Sequence, residues 1–236
     1  MWHAKATEGY VRTSQEALDN ATMLANALTA RGWSVKAIAA LLGNSAGESG
    51  LNPWRWERDD VPTYAQFQAW DSTQELSHGY GIFGYTPARK YINNTNASRY
   101  ATEGYAPNFS DIAGNATDGN AQTIYFISTV ESSWTHSLFS YYDAEFTAIG
   151  VDISTFYYVT FADFIRGMNG QTPMTLYECV GAFELCYEKP AAVPAASSYQ
   201  SRCDNADYWY QYFSANPPIP IIVTKGNRLP IWMYAF

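Results

Sequence analysis

Gly43-Asn44-Ser45-Ala46-Gly47-Glu48-Ser49-Gly50-Leu51-Asn52-Pro53 decides how the rest of this chain is read. It forms the last turns of a helix that the sequence opens at Ser34, a residue suited to an N-cap. Val35, Ile38, Ala39, Leu42 and Ala46 recur at helical spacing and predict one apolar face. Gly50 and Pro53 are stop signals. That phase puts Glu48 in the last turn, off the apolar face, beside Leu41, Asn44 and Ser45. The negative end of the helix dipole disfavours an ionised carboxyl there, and partial burial acts in the same direction. A carboxyl that keeps its proton near neutrality suits a general acid. The same setting predicts that neutralising Glu48 costs no stability. The competing reading is a solvated glutamate at a helix end.

A second stretch bears on the choice. Gly79-Tyr80-Gly81-Ile82-Phe83-Gly84-Tyr85-Thr86-Pro87 is a glycine-punctuated aromatic run that predicts a hairpin. Upstream lie Gly9-Tyr10-Val11-Arg12, Asn20-Ala21 and Arg31-Gly32-Trp33-Ser34. Downstream lie Phe183-Glu184-Leu185-Cys186-Tyr187-Glu188-Lys189-Pro190-Ala191 and the segment from Arg202 through Trp209-Tyr210-Gln211-Tyr212-Phe213. In this order, over roughly residues 8–215, these motifs resemble the phage tail lysozyme family. The resemblance implies a lysozyme-like fold and cleavage of peptidoglycan. It implies that Glu48 is the acid and that the hairpin walls the groove. The sequence departs from the family pattern at Gly84, where a glutamine is usual, and at Tyr85, where a tryptophan is usual.

Cleaving a glycosidic bond needs a proton donor and stabilisation of an oxocarbenium-like transition state. An inverting enzyme places a second carboxylate about 6.5–9.5 Å away. Asp59 and Asp60 are the first candidates for that group, with Glu57 and Asp71 behind them; each also reads as a solvated loop acid. Attack by positioned water, or ring closure as in a lytic transglycosylase, needs no such carboxylate. Trp54, Trp56, His78, Tyr80 and Tyr85 are the candidate saccharide contacts, because flat rings with polar tips suit sugar faces. Tyrosine (19) and tryptophan (8) are numerous enough to serve both a core and a groove.

Composition narrows the alternatives. Apolar residues at 47% and charged residues at 15% predict a globular chain. A net charge of −8 argues against a nucleic-acid partner and provides no long-range attraction to an anionic wall. Cys179, Cys186 and Cys203 are odd in number and widely spaced, which predicts reduced core thiols and neither a disulfide framework nor a metal site. His3, His78 and His136 are scattered, and no nucleophile–base constellation emerges. No cofactor is expected. No apolar run is long enough to span a membrane, and the first residues lack the basic and apolar segments of a secretory signal. The expected route to the wall is therefore carriage on a virion tail, or release through a holin or by lysis.

The chain in order predicts an α+β protein that is mainly helical, lysozyme-like, with a small hairpin beside the Glu48 helix. Thr13 with Glu16 reads as a capping box before Ala17, Leu18, Ala21, Leu24, Ala25 and Leu28. Helical periodicity weakens over residues 51–115, which hold a short helix around Ala65–Trp70 and then the hairpin, and the polar stretch Asn93–Asn120 reads as loop or lid. Ile124, Ile127 and Val130 predict another helix. Thr160 with Asp163, and Thr175 with Glu178, predict two more capping boxes. Leu176, Val180, Phe183 and Tyr187 predict a stripe ended by Pro190. Asp204–Phe213 predicts a closing helix with Ala206, Trp209, Tyr210 and Phe213 inward. Residues 1–215 are read as the catalytic domain. Residues 216–236 are read as a Pro-rich linker and an apolar tail that docks on the body or on other phage tail proteins. The function expected is a peptidoglycan glycosidase acting in host entry. The alternatives are a non-catalytic structural or glycan-binding tail protein, an endolysin, or a lytic transglycosylase.

Overall fold

The computed structural model describes residues 2–5, 9–55, 79–85, 118–137, 139–189 and 195–221. The helices are α1 (Gln15–Thr29), α2 (Val35–Ser49), α3 (Asp118–Ser133), α4 (Phe139–Ala148), α5 (Phe161–Arg166), α6 (Leu176–Phe183) and α7 (Ala195–Ala215). The fold is α+β and mainly helical, as the sequence predicts.

Helix α2 is the axis of the molecule. Ser34 caps it by accepting from the Ala37 amide, and Gly50 ends it in the left-handed region at φ 61°. Every residue from Ala37 to Ser45 is buried, so the helix has no solvated face until its last turn. The single apolar stripe predicted from spacing was too narrow: small residues fill the remaining faces and let neighbours close in all round. Those neighbours are α7 and α6, with α1 and α5 completing the enclosure.

At the α2–α7 crossing the small residue is Gly43. A Cβ there would lie 2.5 Å from the Arg202 carbonyl oxygen and 2.9 Å from the Ala206 nitrogen, both main-chain atoms that cannot rotate away. Alanine in place of glycine gains about 1 kcal/mol of helix propensity, whereas overpacking costs about 1–3 kcal/mol. Gly43→Ala is therefore expected to lower stability in urea unfolding. A net gain would show that the two helices separate freely.

Local signals fixed most of the other ends. Thr175 and Glu178 form the predicted reciprocal capping box. Thr160 caps α5 by accepting from the Asp163 amide. Helix α1 is capped by Ser14, which accepts from the Ala17 amide, and not by Thr13. Helix α3 turns Gln122, Thr123, Phe126 and Val130 inward, whereas Ile124 and Ile127 are only half-buried. Helix α7 begins nine residues before the predicted Asp204, and Tyr210 on it is exposed.

Residues 2–5 belong to the core assembly. Trp2 is buried and donates its indole N–H to Asn120 Oδ1 at 2.7 Å. Asn20 and Asn52 then stitch this segment down: Asn20 bridges His3 and Leu51, and Asn52 exchanges two bonds with Lys5. The strands of the described residues are β1 (Met168–Asn169) and β2 (Thr172–Pro173), an antiparallel pair closed through Gly170 at φ 57°. Of the hairpin predicted at residues 79–87, the described residues 79–85 hold a single antiparallel bridge between Tyr80 and Tyr85. The short helix predicted around Ala65–Trp70 lies outside the described residues.

The start of the proline-rich segment is docked. Asn26, near the end of α1, accepts from the Ile219 amide through Oδ1 at 2.8 Å and from the Ile221 amide through its carbonyl at 3.1 Å. Each such bond contributes about 0.5–1.5 kcal/mol net. A chain ending at residue 216 should thus be about 1–2 kcal/mol less stable than one ending at 221, by chemical denaturation. Equal midpoints would show that these bonds add nothing. Residues 222–236 lie outside the described residues.

Candidate active site

Glu48 emerges from the solvated last turn of α2, with its side chain 31% exposed. The next residue, Ser49, is buried and donates to the Ile82 carbonyl at 2.9 Å. That bond fastens residues 79–85 over the helix end. The turn is held from two further sides. The Gly81 amide donates to the Arg55 carbonyl at 2.9 Å, and the Ile82 amide donates to Gln122 Oε1 at 2.8 Å. Gln122 also donates to the Pro53 carbonyl at 2.5 Å. One wholly buried side chain of α3 therefore ties the segment that leaves the helix end to the turn above it.

The bridge brings Gly84 against Glu48. A Cβ on Gly84 would lie 2.9 Å from Glu48 Oε2, and the residue stands at φ 54°, which only glycine adopts without strain. The left-handed backbone here suits the glycine that stands where a glutamine is usual, and a side chain at this position would press on Glu48. A glutamine does stand under the hairpin, but it comes from α3 and holds main chain.

Behind Glu48 lies a charged cluster that the sequence did not announce. Arg202 of α7 is buried, donates to three residues and pairs with a fourth. Nη2 meets Glu48 Oε1 at 2.5 Å, Nη1 meets Asn44 Oδ1 at 2.9 Å, and Nε reaches Ser198 Oγ at 3.2 Å and Glu184 Oε1 at 3.3 Å. Asn44 is fixed in turn by donating to the carbonyls of Ala40 and Val180. Glu184 is wholly buried, accepts from Ser198 at 2.9 Å through Oε1, and its Oε2 has no hydrogen-bond partner among the described residues. It opens a π-helical turn, Glu184–Glu188, at the end of α6. Such turns recur at functional sites. The expected dry aromatic setting for Glu48 is therefore replaced by an ion pair with a buried guanidinium.

Burial pushes the Glu184 carboxyl up to about 7, against the pull of Arg202 and the Ser198 hydrogen bond and with a further push from Glu48. The folded value lies above the ordinary 4.5, so the fold favours the protonated form. That contribution is whole below the ordinary carboxylate range and is lost as pH rises towards 7. Wild type is expected to lose about 2–3 kcal/mol between pH 4.5 and 7.5 that Glu184→Gln does not lose. Urea midpoints at a series of pH values check this, and parallel curves for the two proteins would refute it.

The candidate saccharide contacts divide. Trp54 and Tyr80 are each 1% exposed, and their rings serve the core. Tyr85 is also buried, set edge-on to Tyr125 at 5.5 Å, and burial beside Tyr187, Tyr125 and Glu188 raises its hydroxyl well above the usual range. Phe83 stacks on Phe126 at 4.2 Å. The underside of the turn is thus an aromatic plug onto α3, and none of these three rings offers an open face to a sugar. Asp59, Asp60, Trp56 and His78, with Glu57 and Asp71, lie outside the described residues. All three cysteines are buried thiols, each pushed up to about 12 by burial.

Ser49 lay within the motif that opened the reading, and Arg202 and Glu184 lay within quoted motifs. Nothing local marked them as partners of Glu48. The profile of the phage tail lysozyme family matches residues 19–213, from within α1 to the inward Phe213 of α7.

The chain belongs to the phage tail lysozyme family.

Within the span that defines this family fall Glu48, the turn above it and the Arg202 cluster behind it. The chain is also similar to Morphogenesis protein 1 of Bacillus phage B103, 36% identical over 74 residues. That alignment takes in 31% of this chain and 17% of the phage B103 protein. This phage tail lysozyme chain therefore spans under a fifth of that relative's length. Among the described residues, no helix is long and apolar enough to cross a membrane.

Proposed function

We propose that this chain is a peptidoglycan glycosidase of the lysozyme type, carried by a phage tail and acting on the host wall during entry, with Glu48 as its general acid. The observation that carries the reading is the setting of Glu48: the exposed carboxylate on an otherwise enclosed helix, under a turn pinned by the neighbouring Ser49. Membership of the phage tail lysozyme family supports the substrate class. Asp59 and Asp60 are the proposed bases for activating water. Residues 216–236 are the proposed contact with other tail proteins, and the catalytic domain ends before them.

Mass spectrometry of products from a defined muropeptide polymer tests the reading. Reducing-end sugars report hydrolysis, and anhydro ends report a lytic transglycosylase. Intact polymer after prolonged incubation would overturn the enzymatic assignment. It would favour the second reading, a glycan-binding tail protein, which the Arg202 ion pair on Glu48 supports because it occupies the acid. Antibody labelling of purified virions separates a tail role from an endolysin role.

A further inference from the structure

The family profile begins at residue 19, yet residues before it are bonded into the chain that leaves the Glu48 helix. Gly9 lies against the helix end. A Cβ on it would meet the Ser49 carbonyl oxygen at 2.5 Å and Gly50 Cα at 2.6 Å, so two backbones touch there. The Tyr10 amide donates to the Gly50 carbonyl at 3.2 Å. Leu51 follows at φ 64°, directly after Gly50 at φ 61°. A left-handed backbone is costly for a leucine and persists only where its surroundings impose it. Asn20 supplies part of that hold: it donates to the Leu51 carbonyl at 2.9 Å and bonds both main-chain groups of His3.

Asn52 comes next and is wholly buried. Its amide donates to the Ser49 carbonyl at 3.2 Å. Its side chain exchanges two bonds of 3.1 Å with the main chain of Lys5 and accepts from the Trp54 amide at 3.0 Å. Its carbonyl accepts from the Arg55 amide at 3.2 Å, and the Arg55 carbonyl accepts from the Gly81 amide at 2.9 Å. A continuous route thus runs from Lys5 through Asn52 and Arg55 to Gly81, the turn that carries Gly84 against Glu48.

We propose that Asn52 is a positioning residue for this site: it clasps the N-terminal segment to the left-handed corner after the helix, and that clasp sets where the turn above Glu48 sits. The proposal rests on the reading of Glu48 as the acid, and it needs the place of that carboxyl, not its charge. Burial of Trp2 gives the segment a core role as well. Core filling alone would not require bonds from the main chain of residues 3, 5 and 10 to the side chains and carbonyls around one strained corner. A reacting group displaced by about 1 Å loses up to about a hundredfold in rate.

Two experiments on the full chain test this. The first compares product release by wild type, Asn52→Ser and Thr160→Ala, with rates corrected for the folded fraction. Serine can still accept from the Trp54 amide but is too short to hold both main-chain groups of Lys5. Thr160→Ala removes the cap of α5 and lowers stability away from the site. Asn52→Ser should lower kcat about tenfold with KM within about twofold of wild type, whereas Thr160→Ala should leave both unchanged. A folded Asn52→Ser protein with the kcat of Thr160→Ala overturns the proposal, because its cost is then stability alone. The second follows amide hydrogen exchange in wild type through a urea series. The Lys5, Arg55 and Gly81 amides should open as one unit, with protection factors within about threefold of one another at each urea concentration. Separate opening of Lys5 and Gly81 overturns the proposal even where Asn52→Ser does not fold. Wild type that releases no product would sink the functional reading instead, and the exchange data would then decide the clasp by themselves.

Discussion

Glu48→Gln should fold, bind wall fragments and lose at least about a hundredfold in turnover of peptidoglycan. The amide keeps the shape of the side chain and can still accept from Arg202, but it cannot deliver a carboxylic proton. Helix position alone suggested that the substitution would cost no stability. The ion pair changes that expectation, because Arg202 is buried and loses one of its two carboxylate partners. A hydrogen bond to a charged group contributes about 1.5–3 kcal/mol, and the partial exposure of Glu48 reduces this, so a loss of about 1 kcal/mol is expected. Thermal melts and muropeptide release on one preparation separate the two effects. Asp59→Asn and Asp60→Asn, made singly, complete the series. A large loss in either names the base, and little loss in both points to free water or ring closure. Clearing by Glu48→Gln within a few-fold of wild type would remove Glu48 from the mechanism.

Arg202→Met should lower stability by about 3–5 kcal/mol at pH 8, the cost of stranding a buried charge. The loss should be smaller at pH 5, where Glu184 accepts a proton and no longer needs the cation. Methionine fills the volume of the arginine stem, so the packing against Gly43 and Gly47 is largely kept. Combining Arg202→Met with Glu184→Leu should recover most of the loss, since a buried pair replaced whole by apolar groups is often neutral. Urea midpoints for the single and double variants at both pH values check this. A single-variant loss independent of pH would show that packing, and not charge, is what Arg202 supplies.

What the sequence made legible was local. Ser34, Thr160 and Thr175 announce helix starts because a cap and its amide lie within one turn. Ser14 was missed for its neighbour Thr13, because both are capping residue types and Glu16 stands three residues after Thr13. The β1–β2 pair had a signal, the Asn169-Gly170 dipeptide, that the helical pattern around it obscured. Spacing placed Glu48 correctly at the helix end and on the turn that meets residues 79–85. It failed on the surroundings. Arg202 follows Glu48 by 154 residues, and no periodicity links positions so far apart. Trp54, Tyr80 and Tyr85 read as groove rings on residue type alone, whereas packing against α3 and the rest of the core decided their fate. The docking of Ile219 and Ile221 on Asn26 was equally hidden, because a proline-rich composition describes stiffness and not attachment.

The bond from Ser49 to the Ile82 carbonyl carries a mechanical consequence. Acid and roof are adjacent links of one lever: Glu48 and Ser49 share a helical turn, and Ser49 grips the roof. Any twist of the helix end that redirects the carboxylate drags the roof with it, and Gln122 transmits the same movement to Pro53. The carboxylate and the turn above it therefore move as a block or stay still.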